Sequence, residues 1–330
     1  MRTAVVILNW NTKDYLERFL PGVIRSSGPD AEVVVVDNAS TDGSVDLLHE
    51  RFPQVRTICL DKNYGFTGGY NRGLAQLEGY EYFVLLNSDI ETPHGWLDPL
   101  VEWMDAHPEC GACGPKLHSL QEREKFEYAG AAGGFLDRYG YPFCRGRAMN
   151  LVETDEGQYD AAPKDVFWVT GACLLVRASL FDGLDGRFFA HMEEIDLCWR
   201  LQRKGFRITV IPSSTVYHLG GGTLPVRSPF KLMLNFRNNL LLLDNNLPAG
   251  SRCIIPLRML LDACSAAVYL LTGRWQYFKA VIRAHREFRS LRRKEVPEYD
   301  ITSLQGYYRG WIIPRILLRG NRIFTLIHSL

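Results

Sequence analysis

The chain is predicted to be an α/β protein: a mostly parallel central sheet with helices on both faces, followed by a C-terminal helical extension. Three observations predict it. Short apolar runs at residues 4–8 (AVVIL), 32–37 (EVVVVD) and 82–89 (YFVLLNSD) end abruptly in polar residues, the pattern of strands buried on both faces. Segments with helical spacing lie between them, and such alternation implies parallel pairing through right-handed crossovers. The polar ends fall where open α/β sheets bind ligands, outside the carboxyl edge.

The first strand runs into Asn9-Trp10-Asn11, and Thr12 is placed to cap a helix with Leu16, Phe19 and Leu20 on its apolar face. After the second strand, residues 38–44 (NASTDGS) carry loop and cap chemistry leading to a helix over 45–51. Residues 55–60 read as a shorter strand. Residues 63–71 (NYGFTGGYN) are a glycine-rich connection into a helix that continues through Leu77. A dinucleotide site would show GxGxxG directly after strand one; that position reads Asn9-Trp-Asn-Thr-Lys13, and no GxxxxGK[ST] occurs either.

The stretch 82–89 organises the chain. Asp89 ends it where a divalent cation could be held against a phosphorylated ligand, a hard oxygen donor suited to Mg²⁺ or Mn²⁺. In isolation Asn87 and Asp89 read equally as a turn that caps the next helix, over residues 95–107. Residues 111–115 lead out of that helix. Residues 118–165 contain six glycines and many aromatics with no strong period, a substrate-facing excursion with short strands. Residues 166–176 (VFWVTGACLLV) resume a core-strand pattern, with Gly171 marking a bulge or a close backbone approach to a ligand.

A second polar cluster follows at 188–200 (FFAHMEEIDLCWR). Ile195, Trp199 and Gln202 share one helical face, and Asp196 and Arg200 are i,i+4 neighbours able to pair. Glu193 and Glu194 open the helix, where the dipole favours negative charge, so capping and catalysis are both open to them. Residues 206–211 are a strand. His218 closes Val216-Tyr217-His218 before Gly220-Gly-Gly222, as a hydrogen-bonding or a ligating histidine.

Composition bounds the rest. Hydrophobic residues are 46% and charged residues 23% of 330, so the chain is globular. From Ser251 to Leu330 there are 14 Lys and Arg against 5 Asp and Glu, a net of +9; residues 1–250 hold the remaining 24 against 32, a net of −8. A basic C-terminal region suggests an anionic partner. Eight cysteines include Cys110-Gly-Ala-Cys113, which follows a helix where a redox motif would open one, so reduced thiols are expected, with Cys59 and Cys173 in core segments. A strand pattern beginning at Thr3 leaves no room for a signal peptide, and a reducing cytoplasm fits the cysteines.

Helices are expected over 231–245 and 252–271. The second puts Ile254, Leu257, Leu261, Cys264 and Val268 on one face, with Arg258, Asp262, Ser265 and Tyr269 on another. No segment reaches 18 uncharged apolar residues, so an amphipathic helix on a surface is expected rather than a spanning one. Residues 283–294 are strongly basic, and 311–330 mix apolar residues with Arg315, Arg319 and Arg322. Such segments bind anionic lipid heads; packing against the body or a twin subunit in a homodimer is the alternative. No nucleic-acid-binding motif accompanies the charge.

The ordered series VVILNWN, VVVDNASTDGS, NYGFTGGYNRGL, FVLLNSD, GAC, EEIDLCWR and VYH resembles the bacterial family 2 glycosyltransferases of the GT-A fold, closest to rhamnosyltransferase-like members that build surface polysaccharides. The resemblance covers residues 3–245; residues 246–330 form the basic helical region. It implies an inverting transferase that takes a sugar from a nucleoside-diphosphate donor, dTDP-rhamnose or a UDP-sugar, to a glycan or lipid-linked acceptor at the inner face of the plasma membrane. Asp37 would contact the nucleoside base. Asp89 matches the last acid of the metal-binding DxD, with Asn87 in the first acid's place. Glu194 matches the catalytic acid of an ED pair that here reads Glu193-Glu194, and Asp196 and Arg200 match its continuation. His218 matches a further ligand for Mg²⁺ or Mn²⁺. The donor cleft expected from these motifs comprises Asn9, Asn11, Asp37, Asn38, Asn63, Gly65, Asn71, Asn87, Gly171 and Arg200; the catalytic group is Glu194, Glu193 and Asp196. A non-catalytic sugar-nucleotide or glycan-binding module on the same fold is the rival reading.

Overall fold

The computed structural model describes residues 1–127, 130–148, 151–220, 228–293 and 295–319. Gly221 and Gly222, Lys294 and the chain beyond Arg319 lie outside the described residues. The first half alternates as expected: β1 (Thr3–Asn9), α1 (Lys13–Ser26), β2 (Ala31–Asp37), α2 (Ser44–Arg51), β3 (Arg56–Cys59), α3 (Gly65–Leu74), β4 (Tyr82–Asn87), β5 (Ile90–Glu91), α4 (Asp98–Ala106) and β6 (Cys110–Ser119). Then come β7 (Gly134–Asp137), β8 (Pro142–Cys144), β9 (Arg147–Ala148), β10 (Leu151–Val152), β11 (Lys164–Asp165), β12 (Cys173–Arg177), α5 (Glu193–Arg203) and β13 (Arg207–His218). The chain continues through α6 (Pro229–Asn246), α7 (Ile254–Leu271), α8 (Trp275–Leu291), β14 (Tyr307–Tyr308) and α9 (Ile312–Arg319).

The central nine-stranded sheet runs β11-β13-β6-β12-β4-β1-β2-β3, with β5 on β13. β1 pairs in parallel with β2 and β4, and β6 with β13; β12 is reversed against both its neighbours. Alternation along the buried strands divides the core. Val5, Ile7 and Val35 face Leu16, Leu20 and Leu47 of α1 and α2, while Val6, Val34 and Val36 face Tyr70 and Leu74 of α3. The glycines of α3 are packing devices. A Cβ at Gly73 would come within 2.4 Å of Val36, and one at Gly69 within 2.6 Å of Leu8, so only glycine lets this helix lie so close to β1 and β2.

The excursion at 118–165 supplies β7 to β10, which join β14 in a separate five-stranded sheet. β14 comes from the C-terminal region and pairs with Leu136 and Asp137 of β7. Phe288, Ile301, Leu304 and Ile312 share one core with Phe135, Val166 and Trp199. Residues on either side of position 245 are therefore interwoven.

Several local expectations change. Thr12 does not cap α1; its hydroxyl donates to Asn9 Oδ1 at 2.6 Å. Cys59 is exposed on the edge strand, whereas Cys173 is buried. Cys110 and Cys113 are both buried free thiols in the middle of the sheet. Only residues from Cys173 onward form β12, because Val166 bonds Ile208 of β13 and Phe167 and Trp168 turn aside to bond Gly134 of the second sheet. The two short strands expected at 206–211 and 216–218 are one strand with a register shift between Ile211 and Thr215.

The segment Ala249–Leu271 is long and apolar enough to cross a membrane by length and composition. The sequence count missed it because Arg258 and Asp262 interrupt the run. Neither faces outward: both are buried against the protein.

Candidate active site

The carboxyl edge of β1, β2 and β4 gathers the predicted polar residues, but most of them bond one another. Asn9 donates to Asp37 Oδ1 at 2.7 Å and to Ser40 Oγ at 3.0 Å. Asp37 is buried, and its other oxygen accepts the Ser40 N–H at 2.9 Å. Asn11, at φ 53°, accepts the Thr41 N–H at 2.7 Å. Asn38 accepts from the Tyr64 N–H and donates to Asn63 Oδ1 and the Gly65 carbonyl. Asn63 in turn accepts the Gly65 N–H at 2.8 Å. Gly65 sits at φ +71°, and a Cβ there would collide with the Phe189 ring at 2.5 Å. Asn71 clamps the backbone of Leu184 through both ends of its amide. The amides of Asn9, Asn38 and Asn71 thus bond the protein at both ends, as the Asn63 side-chain oxygen does at one, and together they shape the rim of the cleft.

Asp89 and His218 come together for a topological reason. β5 follows Asp89 directly and pairs back on β13, setting Ile90 opposite His218. Asp89 Oδ1 lies 3.2 Å from His218 Nε2, and both side chains are nearly buried. Glu127, a residue the sequence reading did not single out, lies 3.7 Å from the other ring nitrogen. Burial favours the neutral ring, but the hydrogen bond and charge of Asp89, with the charge of Glu127, outweigh it and hold the His218 pKa above its ordinary value. His218 Nδ1 has no hydrogen-bond partner among the described residues. Among those residues no three His, Cys, Asp or Glu form a ready-made metal cage. A carboxylate and an imidazole in contact fit a cation whose remaining ligands come from substrate phosphate and water.

The Glu193 and Glu194 carboxylates enter on a strained loop. Phe189, His191 and Met192 hold φ of 64°, 72° and 74°, a region costly for residues with a side chain. α6 holds the loop there. The buried Asn238 amide donates to the carbonyls of Phe188, Ala190 and His191 at 2.9, 2.7 and 2.8 Å. Arg237 adds bonds to the carbonyls of Arg187 and Phe188. The sequence reading missed both residues; the signal was a polar Arg-Asn-Asn set between Phe236 and the apolar run Leu240 to Leu243.

At the helix start, Glu193 Oε2 and Glu194 Oε2 are buried without hydrogen-bond partners. Burial, then the neighbouring charge of Glu194, raises the Glu193 carboxyl well above the usual range. Burial pushes Glu194 up to about 7. The Glu194 side chain passes directly over Gly171, where an added Cβ would stand 3.3 Å from Glu194 Cβ. Ala172, the next residue, accepts the Asn87 N–H at 2.9 Å, so Glu194 lies close to the end of β4. His191 is pushed the other way, to about 4, by burial and the positive charge of Lys231, which favours the neutral ring.

Asp196 and Arg200 pair as their i,i+4 spacing predicts, and the pair belongs to a wider network. Asp196 accepts from Arg200 Nε at 2.9 Å, Asn245 at 3.0 Å and Asn246 at 2.8 Å. Arg200 also bonds Asp182 and the Gly183 carbonyl. These groups tie α5 to the end of α6, and neither is available to a substrate. Asp196→Ala is therefore expected to cost about 3 kcal/mol, since it removes the buried acceptor shared by Arg200, Asn245 and Asn246. Urea unfolding checks this; a loss of activity at undiminished stability would restore a direct catalytic role for Asp196.

Known proteins resemble this chain in sequence and in fold. The N-acetylglucosaminyl-diphospho-decaprenol L-rhamnosyltransferase of Mycobacterium tuberculosis is 29% identical over 231 residues, 65% of this chain and 75% of that protein. The structure of S. aureus TarS 1-349 in complex with UDP-GlcNAc superposes with a TM-score of 0.55 at 16% identity, over 86% of this chain and 81% of that one. GalNAc-T7, solved with UDP, GalNAc and Mn²⁺, gives 0.55 at 16% identity over 74% of this chain; this chain spans 48% of its length. At such identities the structural likeness is one of fold, the GT-A fold. Residues 4–183, more than half the chain, match Glycosyl transferase family 2, and it is to this family of glycosyltransferases that the chain belongs.

Proposed function

We propose that the chain transfers a sugar from a nucleoside diphosphate to a hydroxyl of a growing, lipid-linked surface glycan, in one displacement that inverts the anomeric carbon. One observation carries the reading. The Asp89–His218 pair and the Glu194 carboxyl converge on the same carboxyl edge of the sheet, the first suited to a diphosphate–metal group and the second to a proton.

Asp89 and His218 would hold Mg²⁺ or Mn²⁺ together with the donor's phosphate oxygens; when bound, the cation offsets the charge growing on the departing diphosphate. Glu194, ionised near neutral pH, accepts the proton of the attacking hydroxyl. The new bond joins the acceptor oxygen to the anomeric carbon as that carbon's bond to phosphate breaks on the opposite face. Glu193, held neutral by burial and by Glu194, donates or accepts a hydrogen bond without carrying charge. The M. tuberculosis relative is named for L-rhamnosyl transfer to a decaprenol-linked sugar, and TarS was solved with UDP-GlcNAc; these names support dTDP-rhamnose or a UDP-sugar as donor and a polyprenol-linked acceptor.

A panel of sugar nucleotides tests the proposal, read both as thermal stabilisation and as release of nucleoside diphosphate in the presence of Mg²⁺ or Mn²⁺. At least one donor is expected to stabilise the protein and be turned over. Stabilisation without turnover by any donor, with or without glycan acceptors, would assign a binding module instead.

A further inference from the structure

α7 is built inside out for a water-exposed helix. Its charged residues face the protein: Arg258 donates to the Tyr139 carbonyl at 3.0 Å and lies 3.6 Å over the Tyr141 ring. Asp262 lies 3.8 Å from Arg258 and 3.4 Å from His285 of α8. The outward positions recur at helical spacing and carry no charge. They include Leu257, Leu260, Cys264, Val268 and Leu271, of which Leu260, Val268 and Leu271 are 62%, 58% and 86% exposed. A surface helix of a water-soluble body shows the opposite pattern. The neighbouring helix completes the picture. The outward positions of α8 hold Lys279, Arg283, Arg286 and Arg289; Glu287 between them pairs with Arg283 at 2.6 Å and with the buried Arg237 at 2.8 Å, which leaves Lys279, Arg286 and Arg289 as the outward cations. Exposed Trp275, an aromatic suited to the boundary between acyl chains and headgroups, opens α8 four residues after Leu271 ends α7.

We propose that this face lies in the plane of an anionic bilayer, with the α7 stripe in the outer acyl region and the α8 cations against lipid phosphates. Crossing the bilayer would tear Arg258 and Asp262 from their partners in the body, which an in-plane helix leaves intact. A second copy of the chain is the weaker occupant, because apposing two α7 stripes would bring the outward cations Lys279, Arg286 and Arg289 of both copies together. The inference stands on the α7 and α8 surfaces and does not depend on the transferase reading, since binding to vesicles is measured without any sugar nucleotide.

The test is sedimentation of the full chain with vesicles of phosphatidylcholine alone or mixed with phosphatidylglycerol. Wild type is expected to sediment with the anionic vesicles and less so at high salt, where screening weakens the charge component. Leu260→Glu/Val268→Glu/Leu271→Glu alters only exposed positions; it is expected to keep its circular dichroism and melting temperature and to lose at least about tenfold in partitioning. If that triple variant is unstable, Leu271→Glu alone reports the same loss at a smaller size. Lys279→Glu/Arg286→Glu should lose the preference for anionic vesicles. Three results would each overturn the proposal: no sedimentation of wild type with anionic vesicles, wild-type partitioning of the folded triple variant, or a wild-type dimer in light scattering that the triple variant dissociates.

Discussion

Replacing Glu194 with Gln is expected to lower kcat by about 10²–10⁴-fold while leaving donor affinity within about threefold. The substitution preserves size and hydrogen bonding, including the contact over Gly171, and removes only the ability to take a proton. Its counterpart Glu193→Gln is expected to change kcat little, because burial and the Glu194 charge already hold that carboxyl neutral, and an amide imitates a neutral acid. The same electrostatics set the pH profile. Glu194 works as a base only when ionised, and its carboxyl is pushed up to about 7. The wild-type kcat should therefore be flat above pH 8 and fall about tenfold per unit below pH 6. Single-turnover rates with a cleavable donor measure both effects. Glu194→Gln activity within about threefold of wild type, or a rate flat down to pH 5, would remove Glu194 as base.

Asp89→Ala should abolish Mg²⁺- or Mn²⁺-dependent donor binding, a loss of about 100-fold or more in affinity by titration calorimetry. Among the described residues Asp89 is the carboxylate that approaches His218 most closely, at 3.2 Å against 3.7 Å for Glu127; Asp89 lies in the turn between β4 and β5, and His218 ends β13. The fold should survive. Asp89's main-chain carbonyl keeps its bond from the Leu219 N–H at 3.1 Å, and His218 can lose its proton once its counter-charge is gone. His218→Ala should weaken metal-dependent binding less, since it removes a neutral ligand and leaves the carboxylate. Unchanged donor affinity in Asp89→Ala, with the metal requirement intact, would move the cation elsewhere in the cleft.

The sequence by itself determined the sheet and the order of its first strands. Doubly buried strands must be apolar throughout and must end in polar residues at the surface, so AVVILN, EVVVVD and YFVLLN announce both the strand and the edge where chemistry sits. It also determined the Asp196–Arg200 pair, because an i,i+4 spacing fixes neighbours whatever the tertiary context. Tertiary structure decided what those polar residues do. Asn9, Asn38 and Asn71 read as ligand contacts because an amide at a strand end serves either purpose; only the fold shows that Asp37, Gly65 and Leu184 already occupy them. The Asp196–Arg200 pair became a strut for the same reason, once α6 brought Asn245 and Asn246 to it. Asn238 was invisible because its partners lie about fifty residues away, at carbonyls that no sequence pattern marks. The apolar stripe of α7 was legible as a period. That its charged face turns inward, leaving leucine and valine to the outside, depended on Tyr139 and His285, which long loops and a second helix deliver from elsewhere in the chain.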